Sequence, residues 1–110
     1  MSEKAVNEHK ETWWLYIIQN KLGHLYTGIT TDVDRRFQQH NSGSAQGAKA
    51  LRGKGPLTLK YKRLIGSKSE AARVEYWVKQ QTRQRKLQII SRNEALSGSL
   101  ISQNTNNDEC

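Results

Sequence analysis

The sequence predicts an α+β fold, a small three-stranded antiparallel sheet flanked by helices in the order β-β-α-β-α-α. Three observations carry that prediction. Two aromatic and β-branched runs, Trp13 to Ile18 and Leu25 to Ile29, stand close together with a short polar stretch between them. A third run, Leu57 to Ile65, alternates apolar with basic residues. Helical apolar spacing behind a capping residue occurs on both sides of that third run, after Asp32 and after Ser67.

The first two runs make a hairpin, with Asn20, Lys21, Leu22 and Gly23 in its turn. A loop of three or five residues places Tyr16 directly opposite Tyr26 on one face, close enough to share a ligand. A four-residue loop puts them on opposite faces, because a slip of one residue reverses every side chain. The Asp32 carboxylate can accept the free amide hydrogens of a first helical turn, so a helix is expected to about Asn41. Val33 and Phe37 form its apolar stripe, and Arg36 and His40 make a neighbouring pair at the same spacing. Asn41 to Gly55, rich in Gly, Ser and Ala, reads as a long flexible loop.

Leu57, Leu59 and Tyr61 are expected on the buried face of the third strand, with Thr58, Lys60 and Lys62 outside. Ser67 and Glu70 match a capping box, and a helix follows to about Thr82 with Ala71, Val74 and Val78 inward. Glu75 falls within that stripe. Its carboxylate should face the domain body, where a cation or hydrogen-bond donors must meet it. A last helix is expected from Arg83 to Leu96 with Leu87, Ile90 and Leu96 inward, ended by Gly98. Residues 12 to 97 then form one domain, between a flexible leader (1 to 11) and a disordered tail (98 to 110).

The 110 residues suit one compact domain. Lysine and arginine number 18 against 10 acids, and the net charge of +8 points to a polyanionic partner, nucleic acid first. Between Asp34 and Glu70 there is no acid, while Arg35, Arg36, Lys49, Arg52, Lys54, Lys60, Lys62, Arg63 and Lys68 all lie there. The single cysteine allows neither an intrachain disulfide nor a thiolate zinc site, which fits a reducing cytoplasm. No apolar stretch is long enough to cross a bilayer as a helix.

Trp14-Leu15-Tyr16, Tyr26-Thr27-Gly28, Arg35-Arg36 and His40-Asn41, followed by Glu75 on a later helix, resemble the GIY-YIG endonuclease family. Tyr26 stands ten residues before Arg36 and Arg36 four before His40, the family's order and spacing. The likeness covers roughly residues 12 to 82. It is nearest to the small standalone bacterial proteins of that family, and extends to the catalytic domain of nucleases that cut branched DNA. Trp14 and Leu15 depart from the glycine and isoleucine of the first motif. Ile29 stands where some family nucleases carry lysine, and the family's late asparagine has no clear match.

The resemblance implies a metal-dependent endonuclease acting on DNA, including branched or repair intermediates. Glu75 would hold one Mg²⁺ or Mn²⁺, whose hardness suits carboxylate oxygen, and Arg36 would clamp the phosphate with its planar fork. Tyr26 is the first choice for the base, Tyr16 orients it or the water, and His40 accepts or relays a proton. Lys49, Arg52 and Lys54 would hold flanking phosphates. The alternatives are a non-catalytic DNA- or RNA-binding module of the same fold, and a subunit that depends on a protein partner for targeting. Taken singly these residues are unremarkable, since a lone tyrosine is usually a core aromatic and a lone glutamate half of an ion pair. Trp13, Trp14 and Trp77 could stack on bases, but core positions are expected for at least two.

Overall fold

The structure, a computed structural model, describes residues 11–42 and 47–98. The expected leader, apart from Glu11, and nearly all of the expected tail lie outside the described residues. The elements are β1 (Trp13–Gln19), β2 (Leu25–Thr30), α1 (Val33–Asn41), a single 3₁₀ turn (Lys49–Leu51), β3 (Thr58–Gly66), α2 (Lys68–Lys79) and α3 (Arg83–Arg92). The order is the predicted β-β-α-β-α-α. All pairing is antiparallel, and β1 lies between β2 and β3.

Its central place explains why β1 is apolar on both faces. Leu15 and Ile17 pack with Val74 and Val78 of α2, Ile89 of α3, Tyr61 and Leu96. Tyr16 and Ile18 point the other way, into a second core with Val33, Leu51 and Leu57. Leu15, Ile17 and Ile18 are wholly buried. Truncating any of them to alanine should cost about 2 to 5 kcal/mol.

The hairpin register differs from the predicted one. Tyr16 pairs with Gly28, and Tyr26 pairs with Ile18, so the tyrosines are diagonal rather than opposite. The turn is the cause. The Asn20 side chain accepts from the amides of Leu22 and His24 at 2.9 and 3.0 Å, and Gly23 takes a φ of +89°. This closes the loop over residues 20–24. A displacement of two residues preserves the face, so both rings still lie on the same side of the sheet.

The third strand also departs from simple alternation. Ile17 faces Tyr61 but Ile18 faces Leu59, which makes a bulge at Lys60. Leu57 and Leu59 therefore serve the Tyr16 side, whereas Tyr61 serves the Leu15 side.

The capping box of Ser67 and Glu70 is formed, and Ala71, Val74 and Val78 are wholly buried. α2 stops at Lys79, short of Thr82, because Thr82 is spent as the N-cap of α3 through the Arg85 amide. α3 ends at Arg92, where Asn93 adopts a left-handed φ of 48°. Its buried side chain is Ile89, while Leu87 turns outward and Ile90 is half-buried. Leu96 is buried, but beyond the helix. Among the described residues no helix is long and apolar enough to cross a membrane.

Candidate active site

Tyr16 is held by three neighbours. Gly28 lies beneath its phenol, so closely that a Cβ at that position would overlap the ring and its oxygen. His40, carried across from α1, places Nε2 2.9 Å from the hydroxyl. Arg36, one turn earlier on α1, donates to Gln39 Oε1 at 2.9 Å and lies near enough to the phenol to favour its ionised form. Asp32 starts that helix as predicted, accepting from the Arg35 amide at 3.1 Å.

The loop after α1 returns to the same place. The Ala48 amide donates to His40 Nδ1 at 2.9 Å. Gly47 lies against the Gln39 carbonyl and the His40 backbone with no room for a side chain. A ring nitrogen that accepts from an amide carries no proton, so neutral His40 must be protonated on Nε2. Nε2–H therefore donates to Tyr16. Burial first, and the charge of Arg36 second, lower the His40 pKa to about 4, which keeps this tautomer at neutral pH.

Tyr16 is pushed up to about 12, mainly by burial and next by electrostatic interaction with neighbouring Tyr26. The guanidinium of Arg36 opposes this, and Glu75 adds to the rise. The ring of Tyr26 lies 6.4 Å from that of Tyr16 and 5.5 Å from that of His40. Tyr16, Tyr26, Arg36 and His40 are thus one cluster, and Glu75 acts on it electrostatically from α2.

Glu75 is half-buried, and the cation that meets it is Lys79, one turn along at 3.1 Å. Among the described residues no group of three or more His, Cys, Asp or Glu could hold a metal ion. Ile29 packs against the Leu15 core, on the sheet face opposite the tyrosines.

Leu51 is buried and the 3₁₀ turn is ordered around it, so residues 47–54 do not match the flexible loop predicted. Lys49 and Arg52 are exposed on that turn. Lys54 is half-buried and shares a cleft of about 150 Å³ with Tyr26, Asn20, His24 and Leu51. None of the tryptophans is fully buried. Trp14 and Trp77 pack against the cores on one side and meet Lys62 and Arg85 on the other, and Trp13 meets Lys68. Sequence reasoning missed Gly28, Gly47 and the Ala48 amide. Gly28 had a signal in the Tyr26-Thr27-Gly28 run, and Gly47 and Ala48 in the stretch from Gly47 to Gly53 that adds to the family resemblance, but no role was read for any of them.

Residues 12–88 match the family model of the GIY-YIG catalytic domain. The UPF0213 protein YhbQ of Salmonella arizonae is 48% identical over 93 residues, covering 84% of this chain and 91% of that protein. YhbQ of Escherichia coli O8 is 54% identical over 79 residues, covering 72% and 77% of the two chains. Among solved structures, the solution NMR structure of the UPF0213 protein BH0048 from Bacillus halodurans shares 48% identity. That match covers 73% of this chain and 83% of the other, with a TM-score of 0.48.

Proposed function

The chain belongs to the GIY-YIG family, a nuclease family, and on that premise we propose that it is a divalent-metal-dependent endonuclease that hydrolyses phosphodiester bonds in DNA. The observation that supports this most is the cluster around Tyr16, where Tyr26, His40 and Arg36 surround one buried phenol. A core that needed only bulk there would not bring a guanidinium to it.

In this reading Tyr26, acting in its phenolate form, takes a proton from water and becomes the neutral phenol as the water oxygen bonds to phosphorus. The opposite P–O bond breaks, and the departing oxygen takes a proton from solvent. Tyr16 is the poorer base, since its phenolate is disfavoured until about pH 12. Its role is to orient, with His40 supplying a hydrogen bond rather than removing a proton. Arg36 holds the nonbridging oxygens, where a planar fork suits two at once. Lys49, Arg52 and Lys54 bind flanking phosphates.

The donor set suits Mg²⁺ or Mn²⁺. Glu75 offers hard carboxylate oxygen with solvent access, and its partner Lys79 is exposed enough to move aside. Once bound, the ion supplies Lewis-acid stabilisation of charge building on phosphate oxygens. The lone cysteine suits the cytoplasm as the compartment, and branched or repair intermediates are the substrates we assign. A second reading, a module that holds DNA or RNA without cutting, draws on the Glu75–Lys79 pair, which already neutralises the carboxylate.

The test is incubation with Mg²⁺ or Mn²⁺ and linear, flapped and branched DNA, with matched RNA. Wild-type protein should cut DNA. Glu75→Gln and Arg36→Ala should each lose roughly 100-fold or more in rate while still binding. Binding without cutting by wild type supports the module, and full activity in Glu75→Gln removes the metal role.

A further inference from the structure

A second cleft, of about 220 Å³, is lined by Trp14, Thr31, Asp32, Val33, Asp34 and Lys62, and the mechanism above does not use it. Trp14 and Lys62 belong to β1 and β3. The acids begin α1. The Lys62 ammonium lies 5.8 Å from the Trp14 ring centre. Although it lines the cleft together with Asp32 and Asp34, no ion pair joins them among the described residues. Opposite charges line one cleft here beside an indole without pairing.

Acids at a helix start complement its dipole, which accounts for Asp32 and Asp34 alone. It does not account for the half-buried indole and the lysine facing them. One Asp32 oxygen is taken by the Arg35 amide, whereas Asp34 is exposed with no hydrogen-bond partner among the described residues. The cleft thus offers a flat stacking surface, a donor-only ammonium and an acceptor-only carboxylate.

We propose that this cleft binds an unpaired guanine of the nucleic acid. The proposal rests on the nucleic-acid reading above and names a base that the protein recognises. Guanine presents one acceptor, O6, beside two adjacent donors, N1–H and the 2-amino group. Asp34 accepts from both donors, Lys62 donates to O6, and Trp14 stacks on the ring. Adenine, cytosine and thymine each put an acceptor where the carboxylate needs a second donor. The edge concerned is consumed by pairing in a duplex, so the base must be single-stranded or extruded. Lys62 has a flexible stem and can move from the indole face to the edge of the inserted base. The volume suits one planar base and little more.

The experiment uses the full chain in EDTA, where binding is separated from cutting. Fluorescein-labelled oligothymidylates of roughly ten nucleotides, with one central guanine, inosine, adenine or cytosine, are titrated by fluorescence anisotropy. Guanine should bind about tenfold more tightly than adenine or cytosine, with inosine, which lacks the 2-amino group, between them. Asp34→Asn, whose amide offers one acceptor and one donor, should abolish that preference and leave binding of unbroken oligothymidylate within about twofold. Trp14→Leu should weaken the guanine oligonucleotide about tenfold. Equal binding of all four oligonucleotides, or a guanine preference surviving in Asp34→Asn, overturns the proposal. Thermal unfolding checks that each variant folds, and the exposed Asp34 keeps the test alive where Trp14→Leu does not fold. Cutting without guanine preference removes the pocket and leaves the nuclease. Guanine-selective binding without cutting does the reverse.

Discussion

Tyr16 and Gly28 are partners across β1 and β2, and the phenol of Tyr16 lies over the Gly28 backbone where a Cβ would have to go. Gly28 is not in the left-handed region, so its requirement is steric. Gly28→Ala should cost about 1 to 3 kcal/mol in chemical unfolding, since overpacking must shift the ring. Combining it with Tyr16→Leu should recover most of that cost, because the collision then has no partner. Simple additivity of the two costs would show that the residues do not touch in solution.

His40 is tied at both ring nitrogens, to Tyr16 and to the Ala48 amide. Its pKa of about 4 lies below the ordinary 6.5, so between these values the unfolded chain binds more protons. Stability therefore falls as pH drops through that window, by about 3 kcal/mol when complete. Denaturant titrations of wild type and His40→Gln at pH 7 and pH 4.5 check this. The variant should lose less stability on acidification than the wild type.

The strands, the caps at Asp32 and Ser67, and the α2 stripe were legible because each is set by neighbours in sequence. Two features were not. The hairpin register depends on how Asn20 folds the turn with its own side chain, and a pattern of apolar residues is equally satisfied by a shift of two. The bulge at Lys60 is a tertiary compromise, serving cores on both sheet faces with one run of alternating residues. The tyrosines, arginine and histidine of the candidate cluster were singled out by the resemblance that their type and spacing carry, not by either alone. The Ala48 amide could not, since every residue but proline offers one.

The two tyrosines should separate kinetically. With its phenolate disfavoured until about pH 12, Tyr16 contributes through geometry on the proposed mechanism. Tyr16→Phe should lower the cleavage rate by roughly tenfold and keep the shape of the pH profile. Tyr26→Phe should lower it by about 10² to 10⁴, the range of a lost general base. Rates measured in single turnover across pH 6 to 9 decide this, and a greater loss from Tyr16→Phe would exchange the roles.

Lys49 and Arg52 are exposed on the turn that carries the Ala48 amide, so phosphate contacts there need no rearrangement of the cluster. Lys49→Ala and Arg52→Ala should each reduce the slope of log K against log salt by about 1 and leave the rate on bound substrate unchanged. Anisotropy titrations at several salt concentrations, beside single-turnover cutting, supply both numbers.

Lys79 competes with any cation for Glu75, since it holds the carboxylate at 3.1 Å from the next helical turn. The pair is partly exposed, so removing it should cost at most about 0.5 kcal/mol of stability. Lys79→Ala should therefore leave the melting temperature nearly unchanged. The Mg²⁺ concentration giving half-maximal cutting should fall several-fold, because an ion no longer has to displace an ammonium. Lys79→Arg, which keeps the charge, should stay near wild type. A metal titration in which Lys79→Ala needs as much Mg²⁺ as wild type would mean that Glu75 meets the ion without leaving its partner, or does not meet it.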